Sequence, residues 1–455
     1  MAELLTTPLP TAQERLAAGR ALRQRVKRRD LGRWRPAADR PDPVDLIVEA
    51  HAGRLQHLIP VRVGRMLASP YAFLRGTAAL MAEDFAGLPR TGVEPVICGD
   101  AHLGNFGFYA SPERDLVFDL NDFDEAHPGP WEWDLWRLVT SVWVAGRQNG
   151  LAEGTCEDAA RWCAMAYRRQ VRRLAGRPLL ARSFDRLDID RMRREMADWS
   201  LRGEIERAAQ VALGRTSDRA LPKLTRERGG VRRIVDQPPV VVHVPEAETA
   251  RLVDGLEAYL ATLPPHWRRV LGYYVVVDLA HKVVGVGSVG LRAFVALLQG
   301  NGPHDVLFLQ LKQARRSCVA RFVHGDRAWH AHQGQRVVEY QQTLQTVSDP
   351  LLGWTTVDGR DYYVRQFRDM KGAVTVDGMD GSALLDYARI CGALLAKGHA
   401  RSTGATVLSG YLGKGDAADR ALARFARAYA DQTEADHRAL ERAVKAGRLP
   451  AELGA

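Results

Sequence analysis

Residues 96–138 read VICGDAHLGNFGFYASPERDLVFDLNDFDEAHPGPWEWDLWRL and hold Asp100, Asn105, Asp119, Asp122, Asp124 and Asp134 between apolar runs. Apolar flanks place these groups near a core, where an unpaired charge costs on the order of several kcal/mol. Such a cluster needs a cation, a basic partner or a catalytic task. Asp100 and Asn105 stand five apart on one predicted turn. A D-x-x-x-x-N spacing lets a carboxylate orient an incoming hydroxyl while the amide holds a metal ion. Asp119 closes a predicted strand, where a further metal ligand would stand, with Asp122 and Asp124 able to replace or assist it. The chemistry these groups suit is phosphoryl transfer, which asks for a base, oxygen ligands for magnesium and accurate positioning.

A second group lies farther along. GVGSVG, spanning Gly285, Gly287 and Gly290, fits G-x-G-x-x-G, a weak signal alone. In a dinucleotide-binding fold these glycines would open a helix. Here LRAFVALLQG follows, β-branched and aromatic enough to favour a strand, and Asn301-Gly302 then turns the chain into VLFLQLK. Strand, Gly-rich turn and strand is the arrangement of a hairpin that covers nucleotide phosphates. Lys312 ends VLFLQLK in a chain whose lysines stand only at 27, 223, 282, 312, 371, 397, 414 and 445. A compact ammonium there suits two phosphates. The carboxylate expected to hold it is Glu339, the only glutamate between Lys312 and Glu434.

These groups need elements to position them. EPVIC, then GDAHLGN, then DLVFDL predicts strand, turn and strand for the acidic stretch, and WEWDLWRLVTSVWVAGRQNG predicts a buried helix closed by Gly150. SPYAFLRGTAALMAEDFAGLP predicts a helix ended by Gly87 and Pro89. Residues 215–244 predict a basic linker or small hairpin; strands follow from about 270, with a helix over QRVVEYQQTLQTV and another strand in GRDYYVRQFRDMKG. The units expected are 1–43, an N-terminal helix and basic arm; 44–213, the first part of a helical lobe with the catalytic loop; 214–265, a basic linker and helix; 266–371, a β-rich nucleotide-binding lobe; and 372–455, helices returning to the helical lobe.

The whole chain sets bounds. Its 455 residues suffice for two or three packed units. The five cysteines are scattered without CxxC spacing, which argues against a disulfide framework or zinc site; Cys98 reads as a small core residue. No run of about 20 apolar residues predicts a membrane span. The opening MAELLTTPLPTAQERLAAGR lacks the apolar block of a secretory signal, so a cytoplasmic location is expected. The net charge of +10 is carried almost wholly by arginine, densest in RQRVKRRDLGRWRP, Arg23 to Pro36, which reads as a solvated arm rather than a nucleic-acid surface.

GDAHLGN followed by VFDLNDFDE and WDLWRL resembles the pattern of aminoglycoside and choline kinase-like phosphotransferases, with Cys98 where those carry histidine. More closely, SPYAFLRG, CGDAHLGNFG, FDLNDFDE, PWEWDL, VGVGSVG and RDYYVRQFRDMKG resemble the uncharacterised bacterial domain-of-unknown-function family 2252. The resemblance implies an α+β, two-lobed, protein-kinase-like fold with additional helices. Because Asp100 precedes the Gly-rich turn, that fold would be circularly permuted. The expected function is ATP- and magnesium-dependent transfer of phosphate to a small hydroxylated acceptor. Asp100 would be the base; Asn105, Asp119, Asp122 and Asp124 the metal ligands; Gly285, Gly287, Gly290, Lys312 and Glu339 the nucleotide grip. Alternatives are a nucleotide-binding regulator or pseudokinase without transfer, nucleotidyl transfer, and a nucleic-acid-associated protein using the Arg-rich arm.

Overall fold

In the computed structural model the described residues are 8–195, 200–216, 221–222, 224–228, 231–238, 240–283, 287, 289–302, 305–323, 330–367, 369–402 and 404–453. The fold is mixed α+β with several antiparallel sheets. In the acidic stretch, β1 (Val96–Ile97), β2 (Phe106–Ala110), β3 (Leu116–Leu120) and β4 (His127–Pro128) make two small sheets: β1 pairs with β4, and β2 with β3. Next, β5 (Thr225–Arg228) and β6 (Val231–Ile234) form the small hairpin expected between the units. A six-stranded sheet follows from β7 (Val241–His243), β8 (Val275–Lys282), β9 (Ala293–Gln299), β10 (Val306–Gln313), β11 (Gly353–Val357) and β12 (Arg360–Gln366), in the order β11-β12-β10-β9-β8-β7. The last strand, β13 (Gly372–Ala373), leaves that sheet and pairs with β2.

Alternation along β10 decides what the sheet offers to the rest of the molecule. Leu307, Leu309 and Leu311 face one side and pack with Leu252, Leu256 and Tyr259 of the helix Glu246–Leu260. Phe308 faces the other side with Val295, Leu297 and Ala280. Gln310 and Lys312 continue that second face, toward the acidic stretch. β8 and β9 pair antiparallel, and the chain after Gly290 runs into β9 and not into a helix. The strand expected from about 270 begins later: Val270 and Leu271 end the short helix Pro265–Leu271, and β8 starts at Val275.

The helices that matter here are α1 (Ala12–Arg25), α2 (Ile59–Leu67), α3 (Pro70–Gly76), α4 (Trp131–Gln148), α5 (Glu153–Ala175), α6 (Gln333–Leu344), α7 (Gly381–Ala400) and α8 (Ala417–Lys445). Buried on all sides, α4 lies at the centre of the largest core, with Trp131, Trp136 and Trp143 fully buried beside the polar Glu132, Asp134 and Arg137. Around it α5 and α7 pack so closely that a Cβ on Gly392 would fall 2.2 Å from the Cys163 carbonyl oxygen. All five cysteines are unpaired, and only Cys318 is partly exposed. Among the described residues no helix is long and apolar enough to cross a membrane.

The basic arm is anchored through Arg23, Arg28, Leu31 and Trp34, while Lys27, Arg29, Arg33 and Arg35 stay exposed. A capping box between Thr11 and Glu14 starts α1. Arg23 then donates to the carbonyls of Gly410 and Tyr411, and Arg28 to that of Leu412, at the C-terminal end of the helix Ala405–Leu412. A cation at that end meets unsatisfied carbonyls and the negative pole of the helix. Leu31 is fully buried, and Trp34 packs edge-on to Tyr429 with centroids 4.7 Å apart.

Candidate functional site

The turn carrying Asp100 is pinned by α4. Asp134, in the helix's first turn, accepts from the backbone N–H of Cys98 at 2.8 Å and of Gly99 at 2.9 Å, and His399 lies 3.1 Å from the same carboxylate. Gly99 sits at φ +73°, and a Cβ there would meet the Glu125 carbonyl at 2.3 Å, so this turn requires glycine. One turn along α4, Arg137 grips Asp100 with two nitrogens, Nε at 2.6 Å from Oδ1 and Nη2 on the same oxygen. Oδ2 of Asp100 stands 4.0 Å from His102 Nε2. Burial pushes the Asp100 carboxyl up to about 7, with Arg137 opposing the shift and Asp122 adding to it. Burial, with Arg137 and Arg75 nearby, depresses His102 far below the usual imidazole range and keeps it neutral. Asn105 Nδ2 donates to the Asp100 carbonyl at 2.8 Å.

Opposite this turn stands the polar face of the six-stranded sheet. Lys312 pairs with Asp124 across 188 residues of chain, and the Tyr363 hydroxyl donates to the other carboxylate oxygen at 3.0 Å. Tyr363 is the cross-strand partner of Lys312. Arg365, two residues on, shares its face and donates to Gln310 at 3.2 Å. Burial works against the Lys312 ammonium, yet the Asp122 and Asp124 carboxylates outweigh it and hold its pKa above the usual lysine value. Asp124 answers in the other direction: burial disfavours its charge, but Lys312 and Tyr363 keep it below the ordinary carboxylate range.

Two clefts meet here. The larger, about 500 Å³, is lined by Asp100, Asp124, Glu125, Gly287 and several arginines. The smaller, about 300 Å³, is lined by Asn105, Gln345, Arg365 and Lys371. Asp122 and Arg75 line both. In the smaller cleft burial lowers the Lys371 ammonium to about 7, with the Arg365 charge adding to the effect.

The candidate residues therefore divide. Asp100, Asn105, Asp122, Asp124, Lys312 and Gly287 converge on or beside the clefts. Gly290 shapes the connection that carries Gly287: it takes φ +86° and its carbonyl accepts from Leu55 N–H at 2.8 Å. Gly285 lies outside the described residues. Two assignments are corrected. Asp119 lines neither cleft; it is fully buried and paired with Lys397 of α7, which also donates to Thr346 at 3.1 Å. Glu339 does not hold Lys312. Its carboxylate meets His330 at 2.5 Å and Gln335 at 2.8 Å, while α6 turns Arg336 to the acidic stretch, where it donates to the carbonyls of Asp124 and Ala126. Among the described residues no three His, Cys, Asp or Glu side chains gather closely enough to hold a metal by themselves.

Arg75, Arg137, Tyr363, Arg365 and Lys371 belong to the site without having been singled out from the sequence. Tyr363 and Arg365 carried a usable signal, since the two-residue period of DYYVRQ puts them on one face of a strand. No local pattern marks Arg75 or Arg137.

A family model described as "Uncharacterized protein conserved in bacteria (DUF2252)" matches residues 54–443. No curated protein and no solved structure matches the chain.

Proposed function

The chain belongs to this family of uncharacterized bacterial proteins, DUF2252, and from the site it builds we propose an ATP- and magnesium-dependent phosphotransferase of two-lobed, circularly permuted kinase-like fold. The observation that carries the reading is the convergence on Asp122. This carboxylate lines both clefts, and its charge acts on Asp100 from the turn and on Lys312 from the distant sheet. Phosphoryl transfer needs such a meeting point of base, metal carboxylate and phosphate-binding cation, whatever the chain order.

Asp100 lines only the larger cleft, so the acceptor belongs there, with its hydroxyl at Asp100. The nucleotide then approaches from the smaller cleft, where Arg365 supplies positive charge, and its terminal phosphate meets Lys312 where the clefts join at Asp122; Gly287, which lines the larger cleft, would face the acceptor in this arrangement. Asp122 and Asn105 would hold magnesium. An ion that keeps several waters and takes only one or two protein carboxylates fits this sparse donor set. Bound there, it would neutralise charge on the phosphates. With its proton affinity near neutrality, Asp100 is suited to accept the hydroxyl proton, and Arg137 fixes its orientation.

The test is thermal unfolding with ATP, with magnesium, and with both. Ligand at a hundredfold excess over Kd stabilises the native state by about 2.7 kcal/mol. A midpoint shift that needs both components and disappears in Asp122→Asn is expected; a well-folded protein with no shift in any condition would falsify the reading. The grip of Arg137 on Asp100 favours a second reading, nucleotide binding without transfer. That alternative gives the same shift but forms no ADP with any acceptor.

A further inference from the structure

Four guanidinium groups line the larger cleft with no carboxylate within 4 Å among the described residues: Arg54, Arg62, Arg75 and Arg315. The partners they have are neutral. Arg54 donates to the carbonyls of Ala50 at 3.0 Å and Val289 at 2.7 Å. Arg62, only 2% exposed, meets His51 Nε2 at 3.0 Å and the Gly76 carbonyl at 2.7 Å. Nε of Arg62 and Nε of Arg75 are buried without any hydrogen-bond partner. Burial lowers the proton affinities of Arg54 and Arg62, and the neighbouring arginines lower them further. Holding like charges together out of water is costly unless an anion completes the site.

The acids of the same cleft favour the charge of Arg54 from a distance but make no ion pair with these four groups: Asp124 is held by Lys312, Asp100 by Arg137, Glu125 accepts from the Cys318 N–H at 2.6 Å, and Asp122 is the carboxylate assigned to magnesium. Arg321, which pairs with Glu49 and Glu83, is already neutralised by protein groups.

We infer that the larger cleft receives an acceptor that is itself a phosphate monoester, its phosphate held by Arg54, Arg62, Arg75 and Arg315 and its free hydroxyl presented to Asp100. The inference rests on the phosphotransferase reading for the hydroxyl and on the arginine cluster for the phosphate. A dianionic phosphate has three terminal oxygens for several planar donors, a match that guanidinium makes better than ammonium. A volume of about 500 Å³ suits a small phosphorylated polyol or sugar. Cationic acceptors are disfavoured by the same charges. In the reaction the acceptor oxygen bonds to the γ-phosphorus of ATP and the bond from that phosphorus to the β,γ-bridging oxygen breaks. The hydroxyl proton passes to Asp100, and the products are a bisphosphorylated acceptor and ADP.

The experiment is calorimetric titration of inorganic phosphate, then of a panel of sugar phosphates, into the full chain saturated with magnesium and a non-hydrolysable ATP analogue. Phosphate is expected to bind beside the analogue. Arg315→Gln, half-buried and free to lose its charge without unpacking the fold, should weaken phosphate at least tenfold while leaving the analogue's affinity unchanged; Arg62→Gln should do the same more strongly. Analogue binding with no phosphate binding, or phosphate binding unchanged in both variants, overturns the anionic acceptor and leaves the phosphotransferase reading in place. Phosphate binding lost in the variants, with no binding of ATP under any condition, keeps the anion site and removes the kinase reading.

Discussion

Two lysine–aspartate pairs hold the acidic stretch to distant parts of the chain, and they serve different ends. Asp119–Lys397 joins β3 to α7 with both side chains almost wholly out of water. In Asp124–Lys312 the lysine is just as buried, but the carboxylate keeps 22% of its surface and lines the larger cleft. Burial, with Arg401 adding to it, lowers the proton affinity of Lys397 although Asp119 and Asp185 oppose the shift, whereas Asp122 and Asp124 outweigh burial at Lys312 and raise its affinity. The same two residue types thus make a structural clamp where the carboxylate is used up, and a charge-rich site where negative charge is left over. Spare charge at a cleft, rather than the presence of an ion pair, separates function from architecture here.

Lys397→Ala should have the largest effect on stability. It strands Asp119 in the core, and breaking such a pair costs about 3–5 kcal/mol, readable as a lower urea midpoint. A loss no greater than that of Lys312→Ala would erase the contrast between the pairs.

The pH dependence of the site comes next. Since Asp100 titrates near 7 in the folded protein, well above its usual value, the fold binds a proton that the unfolded chain releases. Its contribution to stability is full below about pH 4 and is lost as pH rises through about 7. Activity runs the opposite way. A base must be unprotonated, so kcat/KM should fall about tenfold per unit below pH 7, and a flat profile from 5 to 8 would remove Asp100 from proton transfer.

Lys312→Ala should cost only about 1–2 kcal/mol of stability, because Asp124 keeps Tyr363 and some water. Its signature is instead a nucleotide affinity weakened at least tenfold at nearly native unfolding midpoint. Smallest is Glu339→Gln: the half-exposed carboxylate meets His330 and Gln335, so stability should change by less than about 0.5 kcal/mol and nucleotide affinity not at all. Any loss of ATP binding in that variant would return Glu339 to the site.

Local sequence determined a good deal. Apolar alternation in VLFLQLK fixes one face of β10 as core and leaves Lys312 on the other, and the strand-forming LRAFVALLQG carries β9, paired with β8 and β10. The buried α4 follows from its tryptophans and aliphatic residues, and the tight turn before Asp100 from Gly99. Partner choice was not legible. Asp119, Asp122 and Asp124 are alike in type and close in sequence, yet one meets Lys397, one opens on both clefts and one takes Lys312. The arginines Arg54, Arg62, Arg75 and Arg315 are likewise indistinguishable in a chain rich in that residue, and the arm from Arg23 reads as solvent-facing until the helix end it caps is in place.

The set of elements and the chemical types each presents thus follow from local sequence, since backbone preference and hydrophobic period act over a few residues. Which carboxylate is neutralised and which is left charged follows from the packed fold, because that depends on cations brought from 188 and 278 residues away and on how much water reaches each pair.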